Sequence, residues 1–149
     1  MKRDRPCRNE ARCRTPAVRV SAPSWGYDRR MTDRLPRSLL HIEGAVVAVA
    51  AVALYFHLGY AWWLLLLLAL APDLSMVGYA AGTAVGAVAY DIAHTYAIPV
   101  ALALVGVFAD TDLAVQIALI WGAHIGVDRA IGYGLKYPTG FQDTHLQRV

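Results

Sequence analysis

The chain has 149 residues, enough for one domain, and 57% of them are hydrophobic, with a mean hydropathy of +0.39. Ordinary soluble domains are about 45–50% apolar, so this composition argues against a soluble globule and for a membrane protein. The net charge of +3 is unevenly spread: residues 1–30 carry nine Lys/Arg against three acids, and residues 31–149 five against eight. The basic balance therefore belongs to the leader, and nothing in the body points to nucleic acid.

Residues 1–30 form a leader rich in Arg, Pro and Ser, without an apolar run long enough for a signal peptide. Such a composition reads as disordered. A basic arm of this kind suits anionic lipid or nucleic acid, while the favoured alternative is that Met31 is the start of the protein and the leader is not translated. Cys7 and Cys13 lie in this arm without CxxC spacing or a nearby His, which supports neither a zinc site nor a structural disulfide.

The body, residues 31–149, reads as a single all-α domain, a multi-pass transmembrane helix bundle. Its first apolar segment is Ser38 to His57, and about 20 residues cross a bilayer core at 1.5 Å each. Arg34 and Arg37 precede it, which places the N-terminus in the cytoplasm. Gly59 opens a turn, and Tyr55, Tyr60, Trp62 and Trp63 are expected to form an aromatic girdle at the outer interface. The second segment, Leu64 to Ala80, contains Pro72, whose missing amide deprives Leu68 of a hydrogen bond and predicts a kink. Asp73 follows at once, either as a cap on the resumed helix or as a ligand.

Gly82 and Thr83 lead into the third segment, Thr83 to Ala109, which is long for one span and carries a second kink candidate at Pro99. Asp91 and His94 stand three apart on it, about 60° apart around a helix axis. Asp110 and Asp112 mark the next loop, and the fourth segment runs from about Leu113 to Gly134 with Arg129, Lys136 and Arg148 at or beyond its end. Four spans with both termini inside satisfy the charge pattern of a bacterial inner-membrane protein. Five spans, split at Pro72 or near Tyr96, would send the basic tail outside.

The fourth segment also carries the chemistry. His124 and Asp128 are one turn apart, side by side on one face of an otherwise apolar helix. Ionisable groups are costly in hydrocarbon, so their default reading there is functional. Glu43, Asp73, Asp91 and Asp128 fall at similar depths, giving each span an ionisable group in the cytoplasmic half of the bundle. Neutral imidazoles and carboxylates are ligands for divalent metals, so Asp91, His94, His124 and Asp128 form a candidate metal set, with Asp73 in the same polar site. The competing reading is that each pair is an interhelical hydrogen bond that tightens packing. Lys136, Asp143 and His145 follow the last span as a candidate cytoplasmic lid, with a plain solvated tail as the equal alternative. Gly78, Gly82 and Gly86, and Gly122 and Gly126, recur at four, the spacing for close helix approach to a neighbour or to a second copy of the chain.

The sequence has no GxGxxG, P-loop, GxSxG or HExxH motif and no evident inverted repeat. The phrases APDLSMVGY, YDIAHTYAIP and AHIGVDRAIGYGLKYPTGFQDTHL resemble the bacterial family called domain of unknown function 4260, from about Leu39 to Leu146. The resemblance implies a small multi-pass membrane protein and no particular activity. A looser likeness, in residue types alone, is to membrane-bound metal-dependent hydrolases that use intramembrane His and Asp. Three functions remain open at this point: a divalent-metal site of hydrolase type, a small transporter or proton relay, and an interaction subunit of a membrane complex.

Overall fold

The computed structural model describes residues 29–138 together with Thr144 and Leu146, with side chains described from Leu35 onward. The basic leader up to residue 28, and Asp143, His145 and Arg148, lie outside the described residues. The chain is all helical: α1 (Arg29–His57), α2 (Trp62–Leu68), a 3₁₀ helix (Pro72–Ala81), α3 (Thr83–Ala93), α4 (Ala97–Phe108) and α5 (Asp112–Ile131). There is no strand among the described residues, only an isolated antiparallel bridge between Lys136 and Thr144.

Three stretches, Leu35–His57, Trp62–Ala81 and Thr83–Phe108, are long and apolar enough to cross a membrane. The fourth, α5, is also 20 residues long but holds Asp128 and Arg129 among its apolar residues. Large hydrophobic side chains such as Leu66, Leu67, Leu74, Val77 and Phe108 lie exposed on the outside of the bundle, and the buried hydrophobic set is short and dominated by small residues and Tyr55, Tyr90 and Ile125.

Two prolines divide the middle of the chain. A proline has no N–H for the carbonyl four residues back, and its ring clashes with that carbonyl. For Pro72 that residue is Leu68, where α2 ends. For Pro99 it is Thr95, in the non-helical stretch 94–96 between α3 and α4. The chain therefore runs as α2 and a 3₁₀ helix before Gly82, and as α3 and α4 after it. The expectation of a capping role for Asp73 does not hold: Ala71 occupies the cap position, and no side-chain capping bond forms there.

The long helices α1 and α5 pack closely and antiparallel. A Cβ on Gly44 would stand 2.8 Å from the Gly126 carbonyl, and one on Gly126 would stand 2.7 Å from the Ala48 amide. His41 Nδ1–H donates to the Ala130 carbonyl at 2.7 Å and ties the same ends together. Gly78 and Gly86 face each other across the turn at Gly82, whose φ of 116° is a conformation that glycine adopts without strain. Gly78, Gly86 and Gly126 are thus occupied by packing within this chain, whereas a Cβ on Gly122 would meet nothing within 4 Å among the described residues.

At the other end of α1, the Tyr60 hydroxyl donates to Asp112 Oδ1 at 3.1 Å, joining the loop before α2 to the start of α5. Trp62 and Trp63 are exposed as a girdle requires, but Tyr55 is fully buried. Its hydroxyl donates to the Ala61 carbonyl at 2.8 Å, and its ring packs edge-on against Phe56 and Tyr60. The same carbonyl also accepts the Leu64 backbone N–H at 3.1 Å, so Tyr55 fastens the start of α2 to the end of α1.

Candidate functional site

Both breaks place a side chain with chemistry. Asp73 follows Pro72 directly, and His94 is the first residue beyond α3, with φ −107° and ψ 22°. Opposite them, α5 presents His124 and Asp128 one turn apart. Each of these four residues brings one ligand atom to a common point, and the four atoms lie within 4.8 Å of one another.

The individual distances define the shape. His94 Nε2 is 3.2 Å from His124 Nε2, 3.5 Å from Asp73 Oδ1 and 3.5 Å from Asp128 Oδ2. His124 Nε2 is 3.6 Å from Asp73 Oδ1 and 3.7 Å from Asp128 Oδ2. Five of the six separations are thus 3.2–3.7 Å, the size of the edges of a tetrahedron whose centre is about 2.1 Å from each vertex, near zinc–imidazole and zinc–carboxylate bonds of roughly 2.0–2.2 Å; the sixth, between the two carboxylates, is within 4.8 Å.

Surrounding groups orient the ligands. The Tyr90 carbonyl can only accept, so the 2.9 Å contact to it places the His94 proton on Nδ1 and turns the Nε2 lone pair toward the cluster. The Tyr90 ring lies flat on the His94 imidazole, with centroids 3.7 Å apart and planes 11° apart. Its hydroxyl donates to Asp128 Oδ2 at 3.1 Å. One tyrosine thus positions two of the four cluster residues.

The broken backbone is braced as well. The Trp121 indole N–H donates to the Ala93 carbonyl at 2.7 Å, and Arg129 Nη2 donates to the His94 carbonyl at 3.4 Å. These carbonyls lie at the end of α3, where the next helical turn would otherwise have supplied donors. Exposure is graded across the site: the side chains of His94 and His124 are 3% and 7% exposed, Asp128 17% and Asp73 37%. The open side of the cluster is therefore at Asp73.

Asp91 is not among the four. Its Oδ1 accepts the backbone N–H of Lys136 at 2.7 Å and ties the chain after α5 to α3. Asp73 stands in the set where the helical spacing had placed Asp91. The Lys136 side chain is buried, with Nζ 4.1 Å from the centre of the Tyr90 ring and 5.4 Å from that of Tyr79. Burial holds its ammonium below the usual lysine range, and the carboxylates of Asp73, Asp128 and Asp91 pull it back up. Of the expected lid, Lys136 lies against the Tyr90 side of the site, while Asp143 and His145 are outside the described residues. Glu43 lies away from the cluster, lining a groove with Tyr96 and Arg129.

Beside the cluster is a cavity of about 300 Å³ between the Pro72 turn, the end of α3 and the middle of α5. Tyr90, Trp121 and Arg129 drew no attention as site residues from sequence. Only Tyr90, four residues before His94, left a usable signal, the same-face spacing of a helix.

The fold and site define a class: an all-helical bundle with apolar spans, broken by prolines, around an inward His₂Asp₂ cluster. The chain belongs to a family, the domain of unknown function DUF4260, whose model matches residues 37–149. No curated protein and no solved structure matches it.

Proposed function

We propose that this protein is a multi-pass membrane protein that holds one divalent transition-metal ion at Asp73, His94, His124 and Asp128 and uses it in hydrolysis. The observation that carries this reading is the convergence of four candidate ligand atoms within 4.8 Å of one another, with both imidazoles 3.5–3.7 Å from both carboxylates. Two carboxylates and the inward lone pair of His94 make a concentration of acceptors that a cation would neutralise. Mixed imidazole and carboxylate ligands suit zinc and its first-row neighbours rather than calcium or magnesium, which prefer all-oxygen sites. A divalent ion held there supplies Lewis acidity toward water and toward a carbonyl or phosphoryl oxygen.

The chain's own residues have separable parts in this reading. His94, His124 and Asp128 form the buried base of the site. Asp73, the most exposed of the four, stands where a carboxylate can act as fourth ligand or can accept a proton from an attacking water. Membrane embedding is supported by the three long apolar stretches and by the many large apolar side chains left exposed along them. Both termini are assigned to the cytoplasm on the strength of Arg34, Arg37, Arg129 and Lys136 against Asp110 and Asp112.

The test is metal content of the detergent-purified protein beside His94→Ala and His124→Ala variants. About one zinc, cobalt or manganese ion per chain is expected, lost in both variants while helical content persists. Absence of bound metal after loading with each ion in turn would sink the reading.

A further inference from the structure

The cavity beside the cluster does not follow from the metal reading, and its position is informative. Three of its wall residues are close neighbours in sequence of three ligands. Pro72 precedes Asp73, Ala93 precedes His94, and Trp121 lies one turn before His124. Leu68, Ile117 and Ile120 complete an apolar surface. The same two proline breaks that deliver Asp73 and His94 therefore also open this space.

Polar groups on the wall are few. Among the described lining residues only Ser75 and Trp121 bring polar side-chain atoms, and the Trp121 indole N–H is already held by the Ala93 carbonyl. Ser75 Oγ is buried and has no hydrogen-bond partner. The surface the cavity presents is thus almost wholly apolar, near a cluster suited to hold a Lewis acid. At about 300 Å³ the space is at the small end of ligand sites, which run from roughly 300 to 1,000 Å³.

We infer that this cavity receives the hydrocarbon chain of a single-chain amphiphile whose carbonyl or phosphoryl head meets the His/Asp cluster. Exposed Ala71 forms the mouth on the lateral face of the bundle. The substrate class is then an acylated or alkylated, membrane-dissolved compound, entering sideways from the bilayer. The head assignment rests on the metal reading; the chain assignment rests on the cavity alone.

Two measurements keep those parts separate. The first needs no metal: protein in phosphatidylcholine vesicles is photolysed with an octanoate bearing a terminal diazirine, and the labelled peptides are mapped. Label concentrated on segments 68–75 and 117–121, and reduced at least fivefold in Ala71→Phe and in Ile117→Phe, is the expected result. Label spread evenly over the exposed faces, including Leu66 and Val85, and unchanged in both variants overturns the inference. Helical content and elution volume check that each variant is folded.

The second measurement uses cobalt-loaded protein and n-alkyl hydroxamates of two to eight carbons, read by the cobalt absorption. The expected preference for the longest over the shortest chain is at least tenfold, shrinking toward equality in Ala71→Phe while acetohydroxamate binds as before. Taking the ratio to the variant cancels partition into detergent. Cobalt binding with the same chain-length dependence in wild type and variant would overturn the pocket and leave the metal centre standing. Failure to load cobalt, with the photolabel still confined to the cavity, would overturn the metal centre and leave the chain pocket standing.

Discussion

The pairing of α1 with α5 and the two broken segments, 62–81 and 83–108, solve opposite problems with similar composition. In the first region glycines let two unbroken helices meet backbone to backbone, at Gly44, Ala48 and Gly126. In the second, Pro72 and Pro99 prevent continuous helices and leave carbonyls and side chains turned into the bundle. The comparison teaches that close packing and ligand presentation are carried by different elements. Helix α5 takes part in both, with Gly126 on one face and His124 and Asp128 on another.

The largest effect is expected where the first region is broken. Gly126→Leu would drive a side chain into the Ala48 amide and the Gly44 carbonyl, which are backbone atoms and cannot swing away. The cost should exceed the roughly 1–3 kcal/mol usual for overpacking. Thermal unfolding in detergent should show the folded protein largely lost, whatever metal is present; a midpoint equal to wild type would refute close packing at this contact.

Next comes the opposite manipulation of the second region. Pro99→Ala restores an N–H for the Thr95 carbonyl and lets α3 run on into α4. Pro99 lies in the first turn of α4, where its missing N–H costs little, so stability should hold. Metal affinity should nevertheless fall by roughly 100-fold, because His94 would return to a helical position; titration with a competing chelator would measure it, and unaltered affinity would dissociate the break from the site.

A smaller change sharpens the division within the site. Tyr90→Phe keeps the ring that stacks on His94 and removes only the hydroxyl that donates to Asp128. Loss of such an outer hydrogen bond typically lowers metal affinity by roughly 10- to 100-fold, and the lower end applies because the stack survives. The smallest effect is expected at Asp91→Ala. Metal stoichiometry should stay at its wild-type value, while the chain after α5 loses its tie to α3 and becomes more open to proteolysis near Lys136. Loss of metal in this variant would return Asp91 to the ligand set.

Much of this division was readable before folding. Pro72 marked the end of α2 because the affected carbonyl is always four residues back. His124 and Asp128 could be placed on one face because α5 stays regular through both of them. The ligand choice between Asp73 and Asp91 was not readable. Spacing arguments assume a continuous helix, and α3 stops at Ala93, so His94 leaves the face on which Asp91 would have been its partner. Tyr55 failed for a related reason: a girdle is a statement about depth, whereas its hydroxyl answers a local carbonyl, that of Ala61. Lys136 was placed near the site by its position after α5, but its burial over Tyr90 and Tyr79 depends on aromatic faces supplied by other segments.

Local chemistry along the chain was therefore enough to determine the helical class, the apolar stretches, the two proline breaks and the identity of the reactive residue types. These follow from hydrogen-bond geometry and side-chain polarity over a few residues, which a linear pattern records. Only the tertiary structure decided that Asp73 and not Asp91 joins the cluster, that Tyr90 orients two of its residues, and that a cavity opens beside them. Those outcomes depend on the direction the backbone takes after each break, which the packing of the other helices sets.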